Sequence, residues 1–269
     1  MNPVRPRRRL GQHFLRDGNV IQRIVAAVAP KPGDALVEIG PGLGAISVPL
    51  LARAGRLEVV EIDPRVVPEL QNRCLGIGEL TVHLGDVLRM DLAGLAGGRD
   101  LRLVGNLPYN VSSPILFHVL AQVERLADAH FMLQREVAER LAAAPGSRDY
   151  GRLTVMVQYW CEVRALFRIG PGAFRPPPKV ESALVRLLPR RPPLPLAADT
   201  AALEAVVRAA FGQRRKQLAN ALRGLLTAAT IADCGIDPGT RAETLAVADF
   251  VRLAAALAAY PRPPAGYGP

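Results

Sequence analysis

The sequence predicts an α/β protein, in which a mostly parallel sheet is followed by a small C-terminal all-helical domain. Three observations support this fold class. Short aliphatic runs alternate with helix-like stretches from Ala35 onward, a glycine-rich turn follows the first of these runs, and the pattern changes to helices alone after a proline-rich segment. Such alternation is typical of parallel strands joined by crossover helices.

Seven apolar runs predict the strands. Five of them alternate with helical intervals, and the last two bracket a proline-rich loop. We expect that last pair to close the sheet as a hairpin-like element rather than as another strand–helix–strand unit, giving six or seven strands in all. The first five runs cover residues 35–39, 57–62, 80–84, 101–105 and 130–133, and the last two cover 161–169 and 182–188.

The proline-rich segment 189–195 marks the predicted domain boundary, because clustered prolines exclude a helix and leave the chain extended. We expect a sheet domain over residues 1–189 and a helical domain over 196–260. The predicted helices of the second domain are 200–211, 214–227 and 247–260, with a turn at 241–245 and a loose tail from Pro261.

The composition is that of a globular protein. The 269 residues include 34 Lys and Arg against 24 Asp and Glu, a formal charge of +10, and 49% are hydrophobic, which excludes wholesale disorder. The longest apolar stretches, 24–29 and 253–259, are far shorter than the ~20 residues that cross a bilayer, so we expect no membrane-spanning helix. The positive charge is compatible with a nucleic-acid partner but does not establish one, because a GC-rich genome also favours Arg.

Cysteine and histidine are scarce. The three cysteines, Cys74, Cys161 and Cys234, lie far apart and there are only four histidines, so we expect neither a disulfide framework nor a zinc site. The Arg-rich residues 1–16 lack the apolar segment of a secretory signal. We therefore expect a protein of the reducing cytoplasm that holds no metal.

A glycine-rich loop follows the first predicted strand, with Gly40, Gly42 and Gly44 directly after Glu38. Glycines there allow the backbone to approach a nucleoside, and Glu61 stands 21 residues after Gly40, where its carboxylate can accept both ribose hydroxyls. The pattern indicates an adenosine-type cofactor without choosing between NAD and S-adenosylmethionine. The alternative is a tight turn that binds no ligand.

Two further acidic residues belong to this predicted sheet edge. Asp86 follows the third strand and can accept the adenine amino group, although it can equally cap the next helix. Glu38 can face the ammonium group of a methionine moiety, and its alternative is a buried acid bonded to backbone amides. In each case the two roles are compatible.

The segment Asn106-Leu107-Pro108-Tyr109 follows the fourth predicted strand and indicates the chemistry. The exocyclic nitrogen of adenine is a poor nucleophile because its lone pair is delocalised into the ring. The Asn106 side-chain oxygen and the Leu107 carbonyl oxygen can each accept one amino proton and turn that lone pair toward a methyl donor, while Tyr109 stacks on the base. The alternative is a type I turn with Pro108 in its second position.

These motifs resemble those of the ribosomal RNA adenine N6-dimethyltransferases of the KsgA/RsmA type. The resemblance extends from about Arg9 to Ala259. It implies a Rossmann-like S-adenosylmethionine-dependent methyltransferase sheet for residues 1–189 and an RNA-binding role for the helical domain. Other matching segments are 11–15, 61–63, 131–138, 150–153, 174–180, 211–216 and 235–238.

The resemblance also implies a reaction and its partners. It implies transfer of two methyl groups from S-adenosylmethionine to each of two adjacent adenosines near the 3′ end of small-subunit (16S) ribosomal RNA, in the assembling 30S particle, by a monomer. His13 departs from the Asn that is common at its position. Residue by residue, the cofactor would touch His13, Leu15, Gly40, Glu61, Asp86 and Asn106, with Asn106 also reaching the target base.

Aromatic and basic residues form the predicted RNA contacts. Phe14 belongs to this set, and Phe174 is expected to present its ring to an extruded base beside Arg175 and Lys179, unless it is tucked under the neighbouring prolines. A second basic group has no acidic residue interleaved, and part of it falls on one face at helical spacing, which favours phosphate contact over a solvated face. Its members are Arg208, Arg214, Arg215, Lys216 and Arg223.

The sequence leaves three rival functions open. An Erm-like methyltransferase would act on large-subunit RNA, a non-catalytic assembly or transcription factor would keep only the fold, and an NAD-linked oxidoreductase would use the same glycine loop. The segments 211–216 and 235–238 point away from the first, and intact Glu61, Asp86 and Asn106 argue against the second. No hydride-transfer His or Tyr/Lys pair is evident for the third.

Overall fold

The computed structural model describes residues 6–7, 10–191, 199–213 and 215–259. It divides into two compact units. One comprises the residues up to Glu139 together with Glu162–Pro189, and the other comprises Arg140–Cys161 with the described residues from Arg190 onward. The predicted boundary after residue 189 coincides with one of these divisions, but the segment 140–161, expected in the first domain, groups with the second unit. The catalytic and RNA-binding roles of the two domains stay predictions.

The strands closely follow the apolar runs of the sequence. All seven predicted strands are present, and the predicted bounds of 35–39 and 161–169 are reproduced. A further pair of two-residue strands was not predicted, because two residues are too few to show a period. The strands are β1 Phe14–Leu15, β2 Ala35–Ile39, β3 Arg56–Glu61, β4 Glu79–Leu84, β5 Leu101–Asn106, β6 Leu126–Gln134, β7 Cys161–Ile169, β8 Phe174–Arg175 and β9 Ser182–Pro189.

Seven strands form one sheet in the order β4-β3-β2-β5-β6-β9-β7, and β1 pairs with β8 separately. The strands β4, β3, β2, β5 and β6 are mutually parallel, whereas β9 runs antiparallel to β6. Because β7 and β9 are neighbours, the expected closing pair is confirmed. The parallel arrangement brings the carboxyl ends of β2 to β5 to one edge, where ligands of open α/β sheets bind.

Helices cover the sheet and make up most of the second unit. The core of the first unit lies where buried Ile24, Val25 and Val28 pack with residues of the sheet such as Leu36. Within the described residues no helix is both long and apolar enough to cross a membrane. The α-helices are α1 Gly18–Val28, α2 Ser47–Ala54, α3 Val67–Cys74, α4 Leu92–Leu95, α5 Ser112–Leu120, α6 Arg135–Leu141, α7 Arg152–Trp160, α8 Thr200–Gly212, α9 Leu218–Ala221, α10 Ala228–Asp233 and α11 Val247–Ala259.

The helix predicted over 214–227 is wrong. Among the described residues of that range, 215–227, only the four residues of α9 are α-helical, and the chain then turns at Gly224, whose φ is +89°. A new helix, α10, starts after Thr227, whose hydroxyl accepts a hydrogen bond from the Thr230 amide. The helices predicted over 200–211 and 247–260 are confirmed as α8 and α11, apart from residue 260, which lies outside the described residues.

His130 on β6 is a buried ionisable side chain, so the pH dependence of stability reports on its burial. The side chain is 1% exposed, and burial lowers its pKa from 6.5 to about 4, although the nearby Asp128 opposes the shift. The unfolded chain therefore binds more protons between pH 4 and 6.5, and the contribution of His130 to stability is lost as pH falls through that window. Replacing His130 with Leu removes this loss.

As the pH falls from 7 to 5, we therefore expect the free energy of unfolding of His130→Leu to increase by about 2 kcal/mol relative to that of the parent chain. The measurement is the free energy of urea unfolding of both chains at the two pH values. Other titrating groups cancel in the comparison. A relative stability that does not change with pH would show that His130 is not held neutral by burial.

Candidate active site

A cavity of about 500 Å³ lies at the carboxyl ends of β2, β3, β4 and β5. The glycine loop after β2, the ends of β3 and β4, the turn after β5 and the N-terminal residues 10–16 all contribute to its lining. The sequence-predicted residues brought together there are His13, Phe14, Leu15, Glu38, Gly40, Gly42, Glu61, Asp86, Asn106, Leu107, Pro108 and Tyr109.

The glycine loop lies partly in the cavity lining, and its binding of a cofactor stays a prediction. Gly40 and Gly42 line the cavity, and Gly42 has a φ of +54° and would place a Cβ 3.1 Å from the Phe14 ring. Gly44, predicted as a cofactor-binding residue, lies outside the lining. A Cβ there would meet Leu70 Cδ1 at 2.9 Å, so Gly44 serves close packing against α3 instead.

Glu61 ends β3 with its carboxylate largely committed to backbone amides. Its Oε1 accepts hydrogen bonds from the amides of Ile62 (2.9 Å) and Asp63 (2.8 Å), and its Oε2 accepts one from Gly42 (3.1 Å). Burial raises the pKa of Glu61, and these three bonds oppose the rise. The bonds fix the carboxylate at the cavity wall. Because Oε1 already accepts two hydrogen bonds, the remaining acceptor capacity for a hydroxyl donor lies on Oε2.

Asp86 combines the two roles that the sequence left open. Its Oδ1 accepts a hydrogen bond from the Leu88 amide at 3.0 Å and caps the short 3₁₀ turn Val87–Arg89. The residue also lines the cavity. One carboxylate oxygen is therefore structural, while the group as a whole faces the space where a ligand would lie.

Glu38 is the most desolvated acid of the cavity. It is 1% exposed, and burial raises its pKa to about 7. Among the described residues its Oε2 has no hydrogen-bond partner, so a carboxyl bonded to backbone amides on both oxygens is not what the structure shows. Since buried polar atoms are almost always paired, this oxygen fits a cationic group of a bound cofactor.

Asn106 is held in a defined orientation at the end of β5. Its Nδ2 donates a hydrogen bond to the His13 carbonyl oxygen at 2.9 Å, which leaves Oδ1 as the acceptor. The buried Leu107 continues the sheet by donating its amide to Met132 O at 3.2 Å. The turn that follows runs from Pro108 O to the Val111 amide, so Pro108 is its first residue rather than the second.

Tyr109 is fixed at both ends of its side chain. Its hydroxyl lies 2.7 Å from Ser182 Oγ, and its ring stacks on the His13 ring with centroids 5.6 Å apart and planes 25° apart. His13 Nδ1 in turn lies 2.8 Å from Pro176 O, so it must carry the proton that this bond needs. The sequence offered no signal for Ser182, because its role depends on how β9 pairs with β6.

The predicted role of Phe174 as a stacking ring is wrong. Its side chain is 1% exposed and belongs to the apolar core. The cause is the β1–β8 pairing, in which Phe174 lies opposite Leu15 and the alternation of a strand sends Phe174 inward and Arg175 outward. Arg175 and Lys179 are exposed, as their predicted RNA contact requires.

The second basic group is only partly arranged as predicted. Arg208, Arg215, Lys216 and Arg223 are exposed, and Arg214 lies outside the described residues. The expected single helical face is wrong, because Arg208 lies on α8, Arg215 lies between α8 and α9, and Arg223 follows α9. The described residues contain no cluster of three or more His, Cys, Asp or Glu able to hold a metal.

Comparison with known proteins identifies the family. The model of the family described as "Ribosomal RNA adenine dimethylase" matches residues 4–259. The chain belongs to this family. Its enzymes are ribosomal RNA adenine dimethyltransferases, so the resemblance seen in the sequence is confirmed, and with it the α/β methyltransferase fold.

Relatives and solved structures agree with this assignment. The chain is 56% identical over 245 residues to ribosomal RNA small subunit methyltransferase A of Xanthomonas campestris pv. campestris (strain B100), covering 91% of this chain and 94% of the relative. It is 52% identical to the same-named protein of Methylococcus capsulatus, covering 94% and 98%. A dimethyladenosine transferase from Plasmodium falciparum superposes with a TM-score of 0.79 at 26% identity, covering 90% of this chain and 96% of that one. The 23S rRNA methyltransferase ErmE superposes with a TM-score of 0.70 at 27% sequence identity, covering 91% of this chain and 99% of that one.

The buried Glu38 makes a test of the cavity electrostatics possible without any ligand. The folded chain keeps the Glu38 proton up to pH about 7, whereas the unfolded chain loses it near 4.5. The folded state therefore binds more protons in that window, and stability declines as pH rises through it. Gln carries no charge and escapes this loss.

We expect Glu38→Gln to gain roughly 2 to 3 kcal/mol of stability relative to the parent chain between pH 5 and pH 8. Denaturant unfolding of the ligand-free proteins at both pH values measures the difference. Equal pH profiles for the two chains would mean that Glu38 ionises normally in the folded state.

Proposed function

We propose that this protein uses S-adenosylmethionine to dimethylate N6 of two adjacent adenosines near the 3′ end of small-subunit (16S) ribosomal RNA. It acts in the cytoplasm as a monomer on the assembling 30S particle. Support comes from its family, from relatives named ribosomal RNA small subunit methyltransferase A, and from the cavity. The observation that carries the proposal is the oriented Asn106 at the end of β5, beside three carboxylates that suit an adenosine-type donor.

The donor would be held by the residues that line the cavity. Glu38 would pair with the ammonium group of the methionine moiety, Glu61 with the ribose hydroxyls, and Asp86 with the adenine amino group. Leu15 and the backbone at Gly40 would contact the remaining apolar and methionine portions. When bound, S-adenosylmethionine supplies an electrophilic methyl group on its sulfonium.

The turn after β5 would activate the target base. The Nδ2 bond to His13 O sets Oδ1 of Asn106 to accept one amino proton, and the Leu107 carbonyl oxygen accepts the second. Both acceptors lie on the same short segment, so they act on one nitrogen. Tyr109 supplies an aromatic surface whose position is set by Ser182 and His13.

The second methylation needs only one of the two hydrogen-bond acceptors. After one transfer the amine keeps a single proton, so one acceptor remains engaged and the other must yield room for a methyl group. The product nitrogen is acidic while it carries a positive charge, and it releases its proton without a strong base. The side chains at this turn, Asn106 and Tyr109, accordingly include no strong base.

One experiment decides the target. Purified protein is incubated with labelled S-adenosylmethionine and small-subunit particles that lack the modification, and the labelled nucleoside is mapped. Large-subunit RNA forms a parallel arm, since ErmE shares the fold. Label in two adjacent dimethyladenosines of the small-subunit RNA supports the proposal; label in large-subunit RNA alone, or in neither, refutes it.

Substitutions in the turn test the assigned roles. We expect Asn106→Ala to reduce both methyl transfers by at least about a hundredfold, because it removes an oriented acceptor. Tyr109→Phe should keep most activity, since it keeps the ring and removes only the hydrogen bond with Ser182. Dimethyladenosine yield from each variant at saturating donor measures this, and near-normal yield from Asn106→Ala would contradict the mechanism.

The basic group of the second unit allows a test of RNA binding. Changing Arg208, Arg215, Lys216 and Arg223 together to Gln should weaken RNA binding. The slope of log K for RNA binding against log salt concentration should become shallower by about 0.7 to 0.9 for each phosphate that is no longer neutralised. The affinity for the donor should not change. Arg252→Gln is the matched control, because Arg252 is half-exposed in the same unit but paired with Asp249 at 2.6 Å. An unchanged salt slope in the fourfold variant would argue against phosphate binding by this group.

A further inference from the structure

The N-terminal residues 10–16, here called the strap, line the cavity. Several contacts join the strap to the strand ends. The His13 carbonyl oxygen accepts a hydrogen bond from the side-chain Nδ2 of Asn106 at the end of β5. The Phe14 ring lies over Gly42 after β2, and β1 pairs with β8. A further contact, through Gln12, reaches Asp63 just after β3 and has no part in the function proposed above.

Gln12 uses both ends of its side-chain amide. Its Nε2 donates to Asp63 Oδ2 at 3.0 Å, and its Oε1 accepts the Arg7 backbone amide at 2.8 Å. Residues 12 and 63 are 51 positions apart, so the bond joins two distant parts of the chain. It fixes the start of the strap against the sheet.

Asp63 is a rigid anchor for this bond. Its side chain is fully buried and bound by Arg65, whose Nε and Nη2 donate to Oδ1 at 2.9 Å and to Oδ2 at 2.6 Å. The Arg65 guanidinium, with help from Gln12, holds the pKa of Asp63 at about 2. An ionised carboxylate only accepts hydrogen bonds, so the amide of Gln12 must present its nitrogen, and the bond is charge-assisted.

The anchor is continuous with the predicted ribose site. The Asp63 amide donates to Glu61 Oε1 at 2.8 Å, so the same three-residue step presents the Glu61 carboxylate to the cavity and holds the strap. A shift of the strap start is therefore felt next to Glu61. The other contacts of the strap involve the glycine loop and the β5 and β8 sides, and they would survive loss of Gln12.

We propose that Gln12 and Asp63 are positioning residues that hold the strap closed over the bound donor, so that their hydrogen bond sets the rate at which the donor dissociates. This inference rests on the proposed use of S-adenosylmethionine. Asp63 lies outside the cavity lining, and Gln12, although it lines the cavity, acts through the position of the strap. Loss of the bond should shorten donor residence and leave the chemical step at Asn106 unchanged.

Two substitutions separate the contacts of Gln12. Gln12→Ala removes both hydrogen bonds, whereas Gln12→Glu can still accept the Arg7 amide but places a second carboxylate against Asp63. The matched control is Gln122→Ala, because Gln122 Oε1 also bridges to a backbone amide, that of Ala93 at 2.9 Å, in the same unit and outside the cavity lining.

The first measurement is dissociation of labelled S-adenosylmethionine, without RNA, by chase with unlabelled donor. We expect a rate about tenfold faster for Gln12→Ala and at least as fast for Gln12→Glu, as for loss of a hydrogen bond to a charged group. At saturating donor, kcat and RNA affinity should match the parent chain. Parent-like dissociation for Gln12→Glu would overturn the inference, and so would a fall in kcat equal to the loss of donor affinity.

The second measurement needs no donor. In the ligand-free chain, amide hydrogen exchange of the strap should be faster in both Gln12 variants, with the thermal midpoint of the parent retained; strap protection unchanged in both would overturn the inference. The parent chain separates the two claims. If it binds S-adenosylmethionine and modifies RNA while the variants behave normally, only the positioning role of Gln12 and Asp63 fails; if it does not bind S-adenosylmethionine, the proposed function fails with it.

Discussion

The hydrogen bond from Asn106 Nδ2 to the His13 carbonyl oxygen is the contact on which the site depends. An amide side chain has one end that donates and one that accepts, and a carbonyl oxygen, which can only accept, pairs with the donating end. The His13 carbonyl makes that choice, so Oδ1 is left as the acceptor. The same bond ties the strap to the end of β5, so that closure of the cavity and orientation of the acceptor depend on one contact.

The carboxylates of the cavity show what this arrangement costs the fold. Parallel strands place Glu38, Glu61 and Asp86 at one edge, where burial opposes the charge of the first two. Glu61 is compensated by three backbone amides, whereas Glu38 Oε2 is left without a partner among the described residues. A cationic group of a ligand would supply the missing hydrogen-bond partner of Glu38 Oε2. Stability is thus given up at Glu38 at the position where binding of a donor would recover it.

Sequence reasoning was most accurate where one local rule decides the structure. A fully buried parallel strand reads as a nearly continuous apolar run, so the sequence predicts 35–39 with its bounds although Glu38 interrupts it. The polar residues that follow such strands meet at one edge of the sheet. Sequence reasoning failed where long-range pairing decides. Phe174 reads as an exposed ring beside prolines, but pairing of β8 with β1 turns it inward. Arg208, Arg215 and Arg223 have helical spacing, but α8 ends at Gly212 and α9 spans only Leu218–Ala221, so they do not share a helix.

The way the strap is held affects how the donor is exchanged between two successive methyl transfers. Dimethylation of one amine needs two donor molecules in succession, so spent donor has to leave between transfers. The separate contacts that hold the strap include one beside Asn106 and one at Asp63. Release at the Asp63 end would open the ribose side of the cavity while the bond at Asn106 keeps the acceptor oriented for the base. A strap fixed by a single contact would lose the orientation of Asn106 each time the donor was exchanged.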